Sequence, residues 1–268
     1  MEKKILRVAL DGSGDYTRLV EAFEYVRQND LHDMTILIAS GEYDVMQEVL
    51  DVKGQEYVDN FTQYHYRNDF TGLFLGNNIT VIGDNVADTI VSCTYTGENK
   101  SFKSNFSVFH VYDNAYTIKN VTINGKGVRY CLHDDSRVLN KKGECKGYVD
   151  NCVMNDNGLV YGACLAGGII GNSYRRITNS KFKCSDGHYA VYYHTNEGSG
   201  NGHIEIDNIF SETGTTWMSA DHGVEEFQSI MYVSNSCLSA LPYWHQGVQE
   251  GYVNNSTLKY WNITVVGE

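Results

Sequence analysis

The clearest hydrophobic pattern runs from Tyr116 to Ser136, YTIKNVTINGKGVRYCLHDDS, where Ile118, Val121 and Ile123 are set among polar residues and Gly125 and Gly127 mark a turn. Alternation of this kind predicts a half-buried strand. A second short strand, Arg129 to Leu132, then delivers His133, Asp134 and Asp135 in succession. Strand, turn, strand and polar exit form one rung of a stacked β architecture. The rung recurs: an asparagine heads each later strand, at Asn120, Asn151, Asn179, Asn208, Asn235 and Asn255, with spacings of 31, 28, 29, 27 and 20 residues. A large apolar residue follows three places later in most repeats (Ile123, Met154, Phe182, Leu238, Leu258), whereas after Asn208 the bulky residue is Phe210. A period of roughly 20–50 residues indicates a solenoid, a propeller or an array, and a propeller blade needs about 40. No 3.6-residue apolar period accompanies the repeat, which disfavours helical arrays. The pattern therefore predicts an all-β chain, a right-handed parallel β-helix, with a sandwich of regularly spaced strands as the alternative. Ile123, Met154 and Phe182 are expected to stack in one interior column.

Ahead of the rungs, Arg7 to Leu10 reads as a strand and Asp11 to Asp15 (DGSGD) as a loop. Leu19, Ala22, Phe23 and Val26 then fall at i, i+3, i+4 and i+7, an amphipathic helix with Thr17 near its N-cap. A solenoid needs a cover for its open apolar end, so this is a short N-terminal capping α-helix. Met34 to Ile38 is a buried strand, and Gly41 to Tyr43 turns the chain. The expected organisation is a single domain over 1–268, with a cap over 1–50, a long loop over 51–78 and rungs over 79–268. The loop is acidic and aromatic (Tyr57, Phe61, Tyr64, Tyr66, Phe70). It reads either as a flap over a sugar-binding face or as a lateral packing segment. The small residues Gly162 to Gly168 predict a depression beside bulkier rungs.

Composition narrows the function. A net charge of −12 disfavours broad binding to nucleic acid or to an anionic membrane. No apolar run approaches the roughly 20 residues of a membrane span. Seven cysteines without CxxC spacing argue against a disulfide framework or a zinc site, and Cys152, Cys184 and Cys237 read as reduced core residues. No cofactor and no metal are expected; DGSGD alone is a weak match to a calcium or phosphate loop, and no GxSxG, P-loop or HExxH motif occurs. Met1 to Leu10 (MEKKILRVAL) has neither a long apolar core nor a cleavage site. The expectation is a protein made in the cytoplasm without a signal peptide.

The candidate chemistry lies where strands end. His133 follows its asparagine by 13 residues, His194 by 15, Asp221 and His222 by 13 and 14, and His245 by 10. Each closes a strand of aromatic character: RYCLHDD, AVYYHTN, TTWMSADH and LPYWHQ. Rungs stacked about 4.8 Å apart would place these groups along one groove. His133, Asp134, Asp135, His194, Asp221 and His222 are the catalytic candidates, because carboxylates beside histidines serve acid–base chemistry. Tyr193, Asn196, Trp217, Trp244, His245 and Gln246 are the substrate-binding candidates, since aromatic rings offer platforms to sugars. Adjacent strand residues point to opposite faces, so at most one of Asp134 and Asp135 can face the groove. Strand-end histidines also serve as structural hydrogen-bonding residues, and that reading stands beside the catalytic one.

The runs VALDGSGDYTRLVEAFEYV, TILIASGEYD and NNITVIGDNVADTIVS resemble the amino-terminal part of the pectin methylesterase and pectate-lyase-like family. The resemblance covers residues 7–50 and 73–125 and implies a right-handed parallel β-helix acting on polysaccharide. It does not extend to methylesterase activity. Leu241-Pro242-Tyr243-Trp244 lacks the arginine of that family's GRPW motif, no Gln-Asp pair occurs, and Val149-Asp150-Asn151 only echoes its aspartate strand. The HDD rung, the Gly-rich rung and the YYHTN rung together look like β-helix proteins of phages and prophages. That resemblance implies a tail-associated or receptor-binding component that meets a polysaccharide or cell-surface glycan outside the cell, with a homotrimer or other virion proteins as partners. The alternatives are a stand-alone carbohydrate-active esterase, lyase or hydrolase, and a structural virion protein without a ligand.

Overall fold

In the computed structural model, residues 4–62, 70–111, 115–134, 145–157, 162–169, 172–185, 187–195, 200–219, 226–245, 253–254 and 257–266 are described. Among them every paired strand runs parallel to its neighbours, and the chain winds through three faces per rung. Face one holds Ile5–Val8, Thr35–Ile38, Ile79–Gly83, Ala115–Lys119, Cys145–Asp150, Ser173–Thr178 and Gly200–Asp207. Face two holds Gly41–Asp44, Thr89–Thr94, Thr122–Lys126, Val153–Asp156, Lys181–Cys184 and Phe210–Ser211. The long strand Glu226–Leu238 pairs with both and joins them into one sheet. Face three is a separate sheet of Leu73–Leu75, Phe109–Val111, Tyr130–Asp134, Ala163–Ile169, Tyr189–Thr195, Thr215–Ser219 and Tyr243–His245. This is a parallel β-helix, with the right-handed crossover that parallel strands favour.

The asparagines make the corner between faces one and two. Asn120, Asn151, Asn179, Asn208 and Asn235 all adopt positive φ, between 48° and 57°. Asparagine tolerates this left-handed conformation because its short polar side chain bonds locally. Side-chain amides link successive rungs: Asn151 donates to Asn120 Oδ1 at 2.9 Å, Asn208 to Asn179 at 2.7 Å and Asn262 to Asn235 at 2.7 Å. The last corner is therefore Asn262, at φ 52°, 27 residues after Asn235. Asn255, which the sequence pattern selected, lies outside the described residues.

Strand alternation fills the interior in columns. On face two Tyr43, Val91, Ile123, Met154 and Phe182 are in register and buried, as the repeat predicts. The next position is Ser211, not Phe210. Phe210 points out to solvent, 39% exposed, and Ser211 fits inside because its Oγ donates to the carbonyls of Thr213 and Gly214. On face one the column is Leu6, Ile36, Val81, Ile118, Val149, Ile177, Ile206 and Val233, all buried.

The N-terminal helix covers the open end. It spans Leu19–Gln28, and Leu19, Ala22, Phe23 and Val26 are buried. Phe23 meets Phe109 of the face-three interior edge-on at 5.9 Å. Its N-cap is Arg18 rather than Thr17, and no side chain of the flanking residues caps it. The cap comes from the next helix, Val45–Lys53, whose Glu48 Oε2 accepts the Val20 N–H at 2.8 Å. Burial raises the Glu48 carboxyl to about 7, against the N–H groups of Val20 and Leu19, which favour its ionised form. The unfolded carboxyl sits near 4.5, so the folded chain binds more protons between these values. Stability should fall as pH rises from about 4.5 to about 7 and level off above, a loss of about 3 kcal/mol. Glu48→Gln keeps an acceptor at the helix end and removes that slope. Urea unfolding at several pH values checks this: the wild type, and not the variant, should show the loss.

Within 51–78 the described residues include regular elements as well as loop. The elements are the end of Val45–Lys53, the short helix Gln55–Asp59 and the strand Leu73–Leu75. Phe61 and Phe70 are buried against Phe102 and Phe106, with ring centroids 5.1 to 6.4 Å apart, and Tyr57 packs on Phe61 at 5.9 Å. Asn99 fastens this layer by donating to the carbonyls of Val58, Asp59 and Phe61. Lateral packing thus accounts for these three aromatics, and a sugar flap does not. Tyr64 and Tyr66 lie outside the described residues.

Candidate functional site

The predicted groove maps to face three. In register along its outer side run Phe74, His110, His133, Ala166, Tyr192, Trp217 and Tyr243. His194 stands two residues further along its strand, in the column of Gly168, Ser219 and His245. The strand-end histidines therefore occupy two columns rather than one, because strand register, not distance from the corner asparagine, decides which side chains are stacked.

The N-terminal half of this surface is closed. His110 and His133 are 1% and 2% exposed and stack with centroids 4.5 Å apart. Tyr130 meets His133 edge-on at 5.1 Å, and Thr71 Oγ1 lies 2.5 Å from His110 Nδ1. Among the described residues, aromatic rings fill the space over the small-residue rung. The rings of Tyr130, Tyr189 and Tyr192 pack over Ala163 and Ala166 and leave both buried. The C-terminal half opens: Tyr189, Tyr192, His194 and Trp217 are half-buried and Tyr243 is 55% exposed. Their rings form a continuous strip, with centroid separations of 4.8 Å for Tyr189–Trp217, 5.0 Å for Tyr192–Trp217, 5.5 Å for Tyr192–His194 and 6.4 Å for Trp217–Tyr243. Trp244 and His245 lie on the closing strand, in register with Met218 and Ser219. Asp135, Asn196, Asp221, His222 and Gln246 lie outside the described residues.

Asp134 and Tyr193 do not face this strip. Each follows an outward residue by one position and so points inward. Asp134 is fully buried. Its Oδ2 accepts from Tyr116 at 2.7 Å, Tyr193 at 3.1 Å and Arg175 Nε at 2.5 Å, while Oδ1 accepts from Arg175 Nη2 at 3.1 Å. Arg175 Nη1 donates to the carbonyls of Cys145 and Tyr174. Burial alone would lower the Arg175 pKa, but Asp134 holds it well above its ordinary value, so the guanidinium stays charged. Burial first, then the charge of Asp134, pushes both tyrosine hydroxyls well up. Gly147 stands between Tyr116 and Arg175 in register, and a Cβ there would lie 2.6 Å from the ring and 2.7 Å from the arginine stem. This closed core network corrects the assignment of Asp134 as an acid or base in a groove and of Tyr193 as a sugar platform.

Sequence reasoning missed Tyr116 and Arg175 as partners of Asp134, although the signal was present. Each lies two residues from an inward apolar position, Ile118 and Ile177, so alternation puts it inside. It also missed a second interior pair, His188 Nδ1 and Asp156 Oδ2 at 2.6 Å. Burial raises the Asp156 carboxyl despite its histidine partner. Among the described residues no three His, Cys, Asp or Glu side chains are placed to hold a metal ion.

No family model matches the chain, and no curated protein matches it in sequence. Among solved structures it is similar to the pectin methylesterase from Aspergillus niger, at 12% identity and a TM-score of 0.47, over 100% of this chain and 92% of that one. It is also similar to the pectin methylesterase from carrot, at 15% identity and a TM-score of 0.35, over 98% of this chain and 83% of that one. At such identities the likeness concerns the fold alone.

Proposed function

We propose that this chain is a glycan-binding β-helix whose ligand lies along Tyr189, Tyr192, Trp217 and Tyr243 on face three, and that it works as a tail-associated component of a phage or prophage. One observation carries the binding reading: this aromatic strip opens progressively to solvent on the outside of a rigid sheet. Tyrosine and tryptophan present an apolar face with a polar edge, which suits a sugar ring, and strands hold platforms more firmly than loops do. Binding is put first because Asp134, one of the Asp134–Asp135 pair that leads the acid–base candidates, is consumed by Arg175 and two tyrosines inside the core. The tail association rests on the resemblance of the HDD, Gly-rich and YYHTN rungs.

A glycan array followed by titration calorimetry tests the binding. Tyr243→Ala and Trp217→Ala are each expected to weaken the selected glycan about tenfold or more, some 1.4 kcal/mol. Tyr243 is exposed, so its variant reports binding free of any folding defect. A chain that binds nothing on the array would return the structural reading without a ligand. Release of reducing ends on incubation with a bound glycan would return the carbohydrate-active enzyme. Mass spectrometry of particles released by lysis tests the tail association, which requires the chain to be present in them.

A further inference from the structure

Face one carries an open groove of about 420 Å³ that is independent of the aromatic strip. Tyr148 and Arg176 follow one another in one outward column, and Lys119, Asp150, Thr178 and Asp207 stand in the column beside it. A groove of this size is ample for a small ligand. Its chemistry is that of a polyol site: one aromatic ring, with paired donors and acceptors around it. The formal charges cancel, since Lys119 and Arg176 are matched by Asp150 and Asp207.

The carboxylates are fixed from the rung above. Asp150 Oδ1 accepts from Thr178 and Asn179, each at 2.8 Å, and Asp207 Oδ1 accepts from Ser234 and Asn235, each at 2.7 Å. These bonds hold Asp207 below its ordinary value, and they do the same for Asp150 although burial there works the other way. Both carboxylates are ionised at neutral pH, and neither is a general acid. Asp150 Oδ2 stands 3.8 Å from Lys119 Nζ, beyond hydrogen-bond distance, so a sugar hydroxyl can bridge the two.

We infer that this groove binds a neutral oligosaccharide, with a sugar ring over Tyr148 and its hydroxyls bonded to Arg176, Asp150 and Asp207. A polyanionic glycan fits poorly. The lining offers no net positive charge, and the chain as a whole carries −12.

Titration calorimetry with maltohexaose, cellohexaose, N-acetylchitohexaose and hexagalacturonate tests this on the full chain. At least one neutral hexasaccharide should bind, hexagalacturonate should bind more weakly or not at all, and Tyr148→Ala and Arg176→Ala should each weaken binding about tenfold. Arg176 is more than half exposed, so its variant is expected to fold. Trp217→Ala should leave this binding unchanged. Tighter binding of hexagalacturonate, no binding of any neutral probe, or binding unaffected by both face-one variants would overturn the inference. Loss with Trp217→Ala alone would overturn it while supporting the face-three strip.

Discussion

Asp134→Asn is expected to destabilise the protein by about 3–5 kcal/mol, because it leaves the Arg175 guanidinium charged and buried without its counter-ion. Both side chains are at most 1% exposed, so solvent cannot take over the lost interaction. The cost comes from stranding a charge rather than from losing a favourable pair. Replacing both partners together, Asp134→Leu with Arg175→Met, removes the stranded charge but takes the acceptor from the Tyr116 and Tyr193 hydroxyls, so it should recover only part of the loss. Urea unfolding of the two variants checks both statements. If Asp134 were a groove residue with a catalytic role, Asp134→Asn would leave the unfolding midpoint nearly unchanged, and the double variant would gain nothing over the single one.

Phe182→Ala should cost a similar amount, about 3–5 kcal/mol. Phe182 fills the face-two column between Met154 and Ser211 and is 1% exposed. The neighbouring rung presents only a serine there, so no large side chain stands ready to close the space. Cavity cost depends on how well a site collapses, and a column held by parallel strands on both sides collapses poorly. Phe210→Ala, by contrast, removes an exposed ring and should change stability by less than about 0.5 kcal/mol. The two phenylalanines are similarly placed in the repeat, so the contrast between their variants measures which one is interior.

The solenoid was legible because its rules are local. The corner asparagines, the alternation of Ile118 with Ile123 and the amphipathic stripe from Leu19 to Val26 each follow from one residue's conformational preference or one apolar period. The site was less legible because it depends on register. Counting from the asparagines placed His133 with His194, whereas pairing places His133 with Ala166 and Tyr192. A displacement of two residues keeps the face but changes the column. A displacement of one residue reverses the face, and that turns Asp134 and Tyr193 inward. The Glu48 cap could not be read from the sequence at all, since it joins Val20 and Glu48, 28 residues apart on two helices, through a tertiary contact. The filling of the small-residue rung by Tyr130 and Tyr192 likewise needs the neighbouring rungs in place before it can be seen.

The central claim is that face three presents its aromatic strip to a glycan, and a structure of the chain with an array-selected saccharide bound tests it most directly. The expected result is a sugar ring seated on Tyr192 and Trp217, with the chain of sugars running towards Tyr243. A saccharide found only elsewhere on the molecule, with the faces of these three rings unoccupied, would contradict it.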